Sequence, residues 1–315
     1  MKHIIKIGVL SLLVLALSSL FLFYQLPGNW EYALERRSIK VATMLIVSCC
    51  IAYSSVVFQT ITNNKILTPS IMGFEAVYLL FQTLIVFIYG DKTFQMITSS
   101  GNFFLSIGLM LIFAFLLFVF IFKKGKSNMY FLLLIGLVLG TLFGTISSFL
   151  QLVIDPNEYL IIEGQMFASF NKINSDLFWY ALVVMAGSFL VGFRKIRRLD
   201  LIALGRENAI NLGLNYNKSV RNYLFLIALL VAVSTALVGP MTFLGILVTN
   251  LTYELFKTYR HAILIPACCL VSCIAVVGGQ FLVERVFAFN TTISIIINFI
   301  GGIYFMFLLL KAKKV

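Results

Sequence analysis

The chain has 315 residues, 61% hydrophobic and only 11% charged, with a mean hydropathy of +1.01 and a formal charge of +12. A water-soluble domain cannot hide that share of apolar surface, which excludes a soluble enzyme, and long unbroken apolar runs exclude the alternating strands of a membrane barrel. The positive charge does not point to nucleic acid, because the Lys and Arg residues gather at the ends of apolar runs, where they orient spans in a membrane.

Taken in order, residues 4–24 form a first apolar run entered through Lys2 and Lys6. Its length, with no small-residue cleavage site behind it, predicts a retained span rather than a signal peptide. Residues 25–40, QLPGNWEYALERRSIK, read as a short exterior segment before a span at 41–62. A polar turn with Pro69 follows at 63–73, then spans at 74–89, 102–122 and 129–154. The loop after 154 carries Asp155, Glu158 and Glu163, and a sixth span covers 177–193. Four more are predicted at 222–238, 241–255, 262–282 and 293–310. The expectation is an all-α integral membrane protein of about ten transmembrane helices in one transmembrane domain, 1–315, with both termini cytoplasmic. With that topology 18 of the 24 Lys and Arg residues fall inside and eight of the twelve acids outside.

The longest polar interruption is 194–221, RKIRRLDLIALGRENAINLGLNYNKSVR, with seven cations against Asp200 and Glu207. Leu201, Leu204, Ala209 and Leu212 recur at the spacing of one helix face, and Gly213 follows where a helix C-terminus favours glycine. The pattern predicts a short amphipathic helix in a basic cytoplasmic loop. It either rests on lipid headgroups or docks a cytoplasmic partner.

Two spans carry more than lipid-facing residues. The 129–154 span has Gly136, Gly140 and Gly144 at four-residue spacing, continued by Ser148, with Thr141 and Thr145 beside them. Small residues so spaced let helices approach closely, and polar ones avoid lipid. The last span carries Ser294 and Asn298. Any single Ser or Thr could instead bond to its own helix backbone. His3 and His261 have no metal-spaced partner, Glu75 stands alone near a span end, and the five cysteines read as small buried hydrophobes. Residues 125–127, Gly-Lys-Ser, end like a phosphate loop, but Phe120 stands where its first glycine belongs.

Three stretches resemble one family. Residues 37–40 with 59–73, QTITNNKILTPSIMG, look like the entry motif of the iron–siderophore and vitamin B12 permeases of binding-protein-dependent ABC importers. Residues 201–213, LIALGRENAINLG, resemble their cytoplasmic coupling segment, and 239–248, GPMTFLGILV, the opening of their eighth span. The flavour is most similar to Gram-positive ferric-siderophore permeases of the petrobactin or catecholate type. The resemblance implies a type II importer architecture in the plasma membrane and no catalysis by this chain. It also implies no bound cofactor or metal, ATP being held on two separate ATPase subunits.

It further implies ATPase coupling through Leu201, Leu204, Gly205, Glu207, Ala209, Leu212 and Gly213. A lipid-tethered extracytoplasmic binding protein would dock on Arg37, Lys40 and Arg285. A pathway would run at the interface with a second permease, near Gln59, Gly136, Gly140, Thr141, Gly144, Thr145, Ser148, Ser294 and Asn298. The family's arginine–x–proline–arginine is Arg37-Ser-Ile-Lys40 here, and its proline–histidine is Thr249-Asn250. These departures suit one member of an unlike pair. The rivals are an ion-coupled transporter or channel whose basic loop binds anionic lipid, and a heme or cobalamin permease of the same family.

Overall fold

The computed structural model describes residues 2–25, 28–93, 98–122, 129–171, 173 and 175–312. The cations Lys123, Lys124, Lys126, Lys172, Lys313 and Lys314, and the 125–127 segment, lie outside the described residues. In chain order the helices are α1 (Lys2–Phe23), α2 (Trp30–Thr62), α3 (Phe74–Tyr89), α4 (Ser99–Phe122), α5 (Met129–Val153), α6 (Pro156–Met166) and α7 (Ser175–Arg194). After them come α8 (Ile196–Ile202), α9 (Arg206–Asn211), α10 (Tyr216–Val238), α11 (Leu244–Phe256), α12 (His261–Arg285) and α13 (Ile293–Ala312). No strand occurs among the described residues.

Seven of these, α1, α2, α4, α5, α7, α10 and α12, are long and apolar enough to cross a membrane. The remaining predicted spans correspond to the shorter apolar helices α3, α11 and α13. At 16 and 13 residues, α3 and α11 rise only about 24 and 20 Å, against a hydrocarbon core of about 30 Å.

Two boundaries differ from expectation. Helix α2 begins at Trp30 rather than near residue 41. Its 33 residues reach about 50 Å, so the charged turns 31–40 project past the apolar core as helix, not loop. The acidic loop after α5 also contains a helix, α6: Asp155 caps it by accepting from Asn157 N at 2.8 Å, with Pro156 at its first position.

Helix α2 sits at the centre, packed by α1, α10, α11 and α12. Its buried face is built from small residues, among them Ser48, Cys50, Ala52, Ser54 and Ser55. Lipid is as apolar as leucine, so close backbone approach rather than hydrophobicity brings such helices together. Helix α1 is the opposite case: Ile4, Leu12 and Leu15 point outward and only a narrow face meets α12 and α2. Cys50, Cys268 and Cys273 are buried and Cys49 and Cys269 half-buried, filling the seam between α2 and α12 with all five thiols free.

Candidate functional site

The two irregular stretches meet inside the bundle. Asn63, in the left-handed conformation, ends α2; the chain then returns through a 3-10 turn at Pro69–Met72 and Gly73, φ +85°, to start α3. From the other end α10 stops at Gly239, φ +98°, and residues 240–243 lead into α11. Glu75 in the first turn of α3 accepts from Ser70 Oγ at 2.8 Å and from Thr242 Oγ1 at 2.6 Å. Its carboxylate therefore lies between the N-termini of two half-length helices, whose dipoles favour negative charge there. Glu75 is bracketed rather than alone, by partners that spacing could not reveal.

The same junction uses other predicted residues. Gln59 is buried and its Nε2 donates to Lys65 O at 2.8 Å and Thr249 Oγ1 at 2.9 Å; Asn250 Nδ2 donates to Lys65 O at 3.1 Å. Thr249 and Asn250, read above as departures from the family pattern, thus anchor the return of the chain after α2. Ser294 is buried too, accepting from Ala168 N at 2.8 Å and donating to Pro240 O at 3.2 Å. It ties α13 to the 239–243 turn. Asn298 is half-buried, and its Oδ1 has no partner among the described residues.

Helix α5 has two unlike faces. A Cβ on Gly136 would stand 2.9 Å from Met72 Cα, and one on Gly140 3.1 Å from Gly73 Cα. The close approach expected from the glycine stripe is therefore made within the chain, against the Pro69–Gly73 turn. Gly144 meets nothing within 4 Å. Thr141, Thr145 and Ser148 share the open face, and the two threonines donate back to Leu137 O and Thr141 O at 2.9 Å. A groove of about 460 Å³ runs along this face past Gly73, Glu75, Gly140, Thr141, Gly144 and Ser148.

The basic segment is not one helix. Gly205, at φ +91° and ψ 162°, breaks it into α8 and α9, a backbone region open essentially to glycine alone. Of the predicted stripe, Ala209 is buried, Leu201 half-buried, and Leu204 and Leu212 are 54% and 60% exposed. The buried anchors are instead Leu199 and Ile202, whose helix packs on α2 and α12. Glu207 is exposed in the first turn of α9. Gly213, φ +82°, closes α9: its N–H bonds Ile210 O at 2.8 Å and Leu214 N bonds Ala209 O at 3.0 Å, a Schellman end. The outer surface of α8–α9 thus presents Leu204, Ile210 and Leu212 from a polar, basic segment.

Sequence reading missed what holds this segment to the bundle. Asp200 accepts from His261 N at 2.9 Å and from its Nδ1 at 2.6 Å, while His261 Nε2 lies 2.7 Å from Thr60 Oγ1. The carboxylate can only accept, so Nδ1 donates to it, while the Thr60 hydroxyl, which donates to Val56 O at 2.8 Å, lies in hydrogen-bond contact with Nε2. One imidazole therefore links α8, the start of α12 and the end of α2.

At the opposite end the three predicted cations are already engaged. Arg37 donates to Leu22 O at 3.0 Å, Tyr24 O at 2.8 Å and Gln25 O at 3.2 Å, capping the carbonyls that end α1. Arg285 joins it on Tyr24 O at 3.2 Å and Gln25 Oε1 at 3.0 Å. Lys40 pairs with Glu284 and with Asn171 Oδ1. The exposed cation of the cluster is Arg36, lying 5.2 Å over the Tyr32 ring. Arg36, Arg37, Lys40 and Glu284 border a cleft of about 560 Å³ that also includes Phe170 and Phe289.

Comparison with known proteins adds the following. The model of the FecCD transport family matches residues 5–311. The chain is 50% identical over 314 residues to the petrobactin import system permease protein YclO of Bacillus subtilis, covering 100% of this chain and 99% of that one. It is 32% identical over 279 residues to the petrobactin import system permease protein FatC of Bacillus anthracis, covering 89% and 79%. A solved structure assigned to the metal-chelate type of ABC transporter, in an inward-facing conformation, superposes with a TM-score of 0.86 at 24% identity, covering 98% of this chain and 99% of that one; at that identity the likeness speaks for the fold.

Proposed function

The chain belongs to the FecCD transport family, and from that premise we propose that it is the membrane permease of an ABC importer for a ferric siderophore, petrobactin being the first to test. The ten predicted spans then correspond to the seven long apolar helices with α3, α11 and α13 as shorter ones, and both termini lie in the cytoplasm. One observation carries the coupling role: an exposed apolar patch, Leu204, Ile210 and Leu212, stands on a basic segment that is itself bolted to the bundle core. A helix floating on lipid needs no such attachment, whereas a lever does. An ATPase subunit gripping the patch moves α8, and the Asp200–His261–Thr60 link passes that displacement to α12 and α2. Packed interfaces of this kind shift between discrete arrangements rather than bending smoothly.

The pathway belongs on the face of α5 that carries Thr141, Thr145 and Ser148, with a second permease of different sequence completing it. A wide, weakly binding hydroxyl wall suits a large chelate that must leave as readily as it enters. The extracytoplasmic binding protein meets the cleft around Arg36, with Arg37 and Lys40 lining it and Arg285 joining Arg37 on the end of α1.

Uptake of radiolabelled iron as its petrobactin chelate, in a strain lacking this chain, tests the reading. The parental gene restores uptake, and Leu204→Asp restores neither uptake nor co-purification of the ATPase, because a carboxylate placed in an apolar contact is left unpaired. Full uptake by Leu204→Asp, with ATPase bound, refutes the coupling surface; no uptake by the parental gene refutes the substrate.

A further inference from the structure

We propose that a slot between α4 and α7, floored by α10, is a binding site for one anionic glycerophospholipid of the leaflet on the side of the 194–221 segment. Helix α10 packs against both walls. Toward the far end the walls meet, Phe104 of α4 lying edge to face with Tyr180 of α7 at 5.7 Å between ring centroids. Toward the basic segment they part and leave a cavity of about 770 Å³.

The pattern inside the slot is that of a lipid rather than of bare hydrocarbon contact. Along α7 it is lined by Val184, Gly187 and Val191, one stripe at helical spacing that ends in Lys195. Along α10 the stripe starts at Arg221 and Asn222 and continues through Phe225 and Leu229. The walls are thus apolar apart from Ser188, whose hydroxyl donates to Val184 O at 2.8 Å, and cationic only at the mouth. Neither Lys195 nor Arg221 forms an ion pair among the described residues, and the nearest acid in sequence, Asp200, is taken by His261. From Val183 to Lys195 the helix rises about 18 Å, close to half of the 30 Å hydrocarbon core. The slot is one leaflet deep. At Gly187 nothing lies within 4 Å of where a Cβ would stand, so the α7 wall is open to an acyl chain. Two unneutralised cations over an apolar cleft between spanning helices select an anionic headgroup, and repel the cation of a choline lipid. The inference rests on the membrane-spanning reading of α4, α7 and α10, and not on the substrate or the ATPase.

The test is native mass spectrometry of the full chain, purified with its partner subunits in mild detergent and titrated with phosphatidylglycerol or phosphatidylcholine. Phosphatidylglycerol is expected to stay bound preferentially. Lys195→Gln with Arg221→Gln weakens its retention about 30-fold, from the attraction each surface cation lends. Gly187→Phe removes it with both cations intact, by filling the slot. Arg194→Gln with Arg197→Gln, which removes two cations outside the lining, leaves it unchanged. Equal retention of the two lipids, undiminished binding in either slot variant, or an equal loss in the control pair would each overturn the proposal, the last by showing a diffuse basic surface instead of a site.

Discussion

Substituting the three glycines of α5 one at a time separates contact within the chain from contact with a second permease. A helix interior gains about 1 kcal/mol when Gly becomes Ala. At Gly136 the new methyl would sit 2.9, 3.1 and 3.2 Å from Met72 Cα, O and C. All three are backbone, in a 3-10 turn held between Pro69 and Gly73, so no side chain can swing away. Overpacking of this kind costs about 1–3 kcal/mol, and the rigid neighbours place Gly136→Ala at the upper end, for a net loss of about 2 kcal/mol. At Gly140 one close atom remains, Gly73 Cα at 3.1 Å, and Gly140→Ala comes out near zero. Gly144 meets nothing, so Gly144→Ala leaves stability unchanged or raises it. Heating the detergent-purified chain and following the monodisperse fraction by size exclusion gives the order 136, 140, 144, most to least harmful. Gly144→Leu then keeps the fold but abolishes uptake if that face meets the second permease. A Gly136→Ala variant as stable as its parent would refute the intrachain packing argument.

Lys40→Glu sets two carboxylates together where Lys40 and Glu284 are 16% and 13% exposed, so it should cost about 3–5 kcal/mol of stability; adding Glu284→Lys should restore most of the loss, measured by the same heating assay, whereas a pure docking role predicts no rescue. Asp200→Asn keeps the shape of the α8–α12 link but weakens its charge-assisted bonds, and His261→Phe removes them. Uptake should fall in both, further in His261→Phe, while the ATPase still co-purifies; unchanged uptake in His261→Phe would remove the link from the mechanism.

What the sequence disclosed and what it withheld divide along a physical line. Apolar run length is a local property, so helices formed on the predicted apolar runs, and Gly213 marked a real helix end because positive φ is also local; the break at Gly205 was not anticipated. Helix α6 was legible in principle, since Asp155-Pro156 with Glu158 is an N-terminus signal; it was passed over because the segment is too polar to span. Partners are another matter. Lys40 and Glu284 are 244 residues apart, His261 and Asp200 61, and no periodicity in either stretch anticipates the other. The glycine stripe led to the expectation of a second helix close to α5; spacing carries no information on what approaches, and at Gly136 and Gly140 it is the chain's own turn at Met72 and Gly73, with nothing within 4 Å at Gly144. The amphipathic stripe failed in a more instructive way. Leu201, Leu204, Ala209 and Leu212 share a face only if the helix is continuous, and Gly205 rotates α9 relative to α8, so Ala209 goes in while Leu204 and Leu212 stay out. On the proposed coupling reading, Leu204 and Leu212, left outside by the turn at Gly205, are the surface that meets another protein, and that is why this segment, rather than the more conspicuous glycines, is where a second subunit should first be sought.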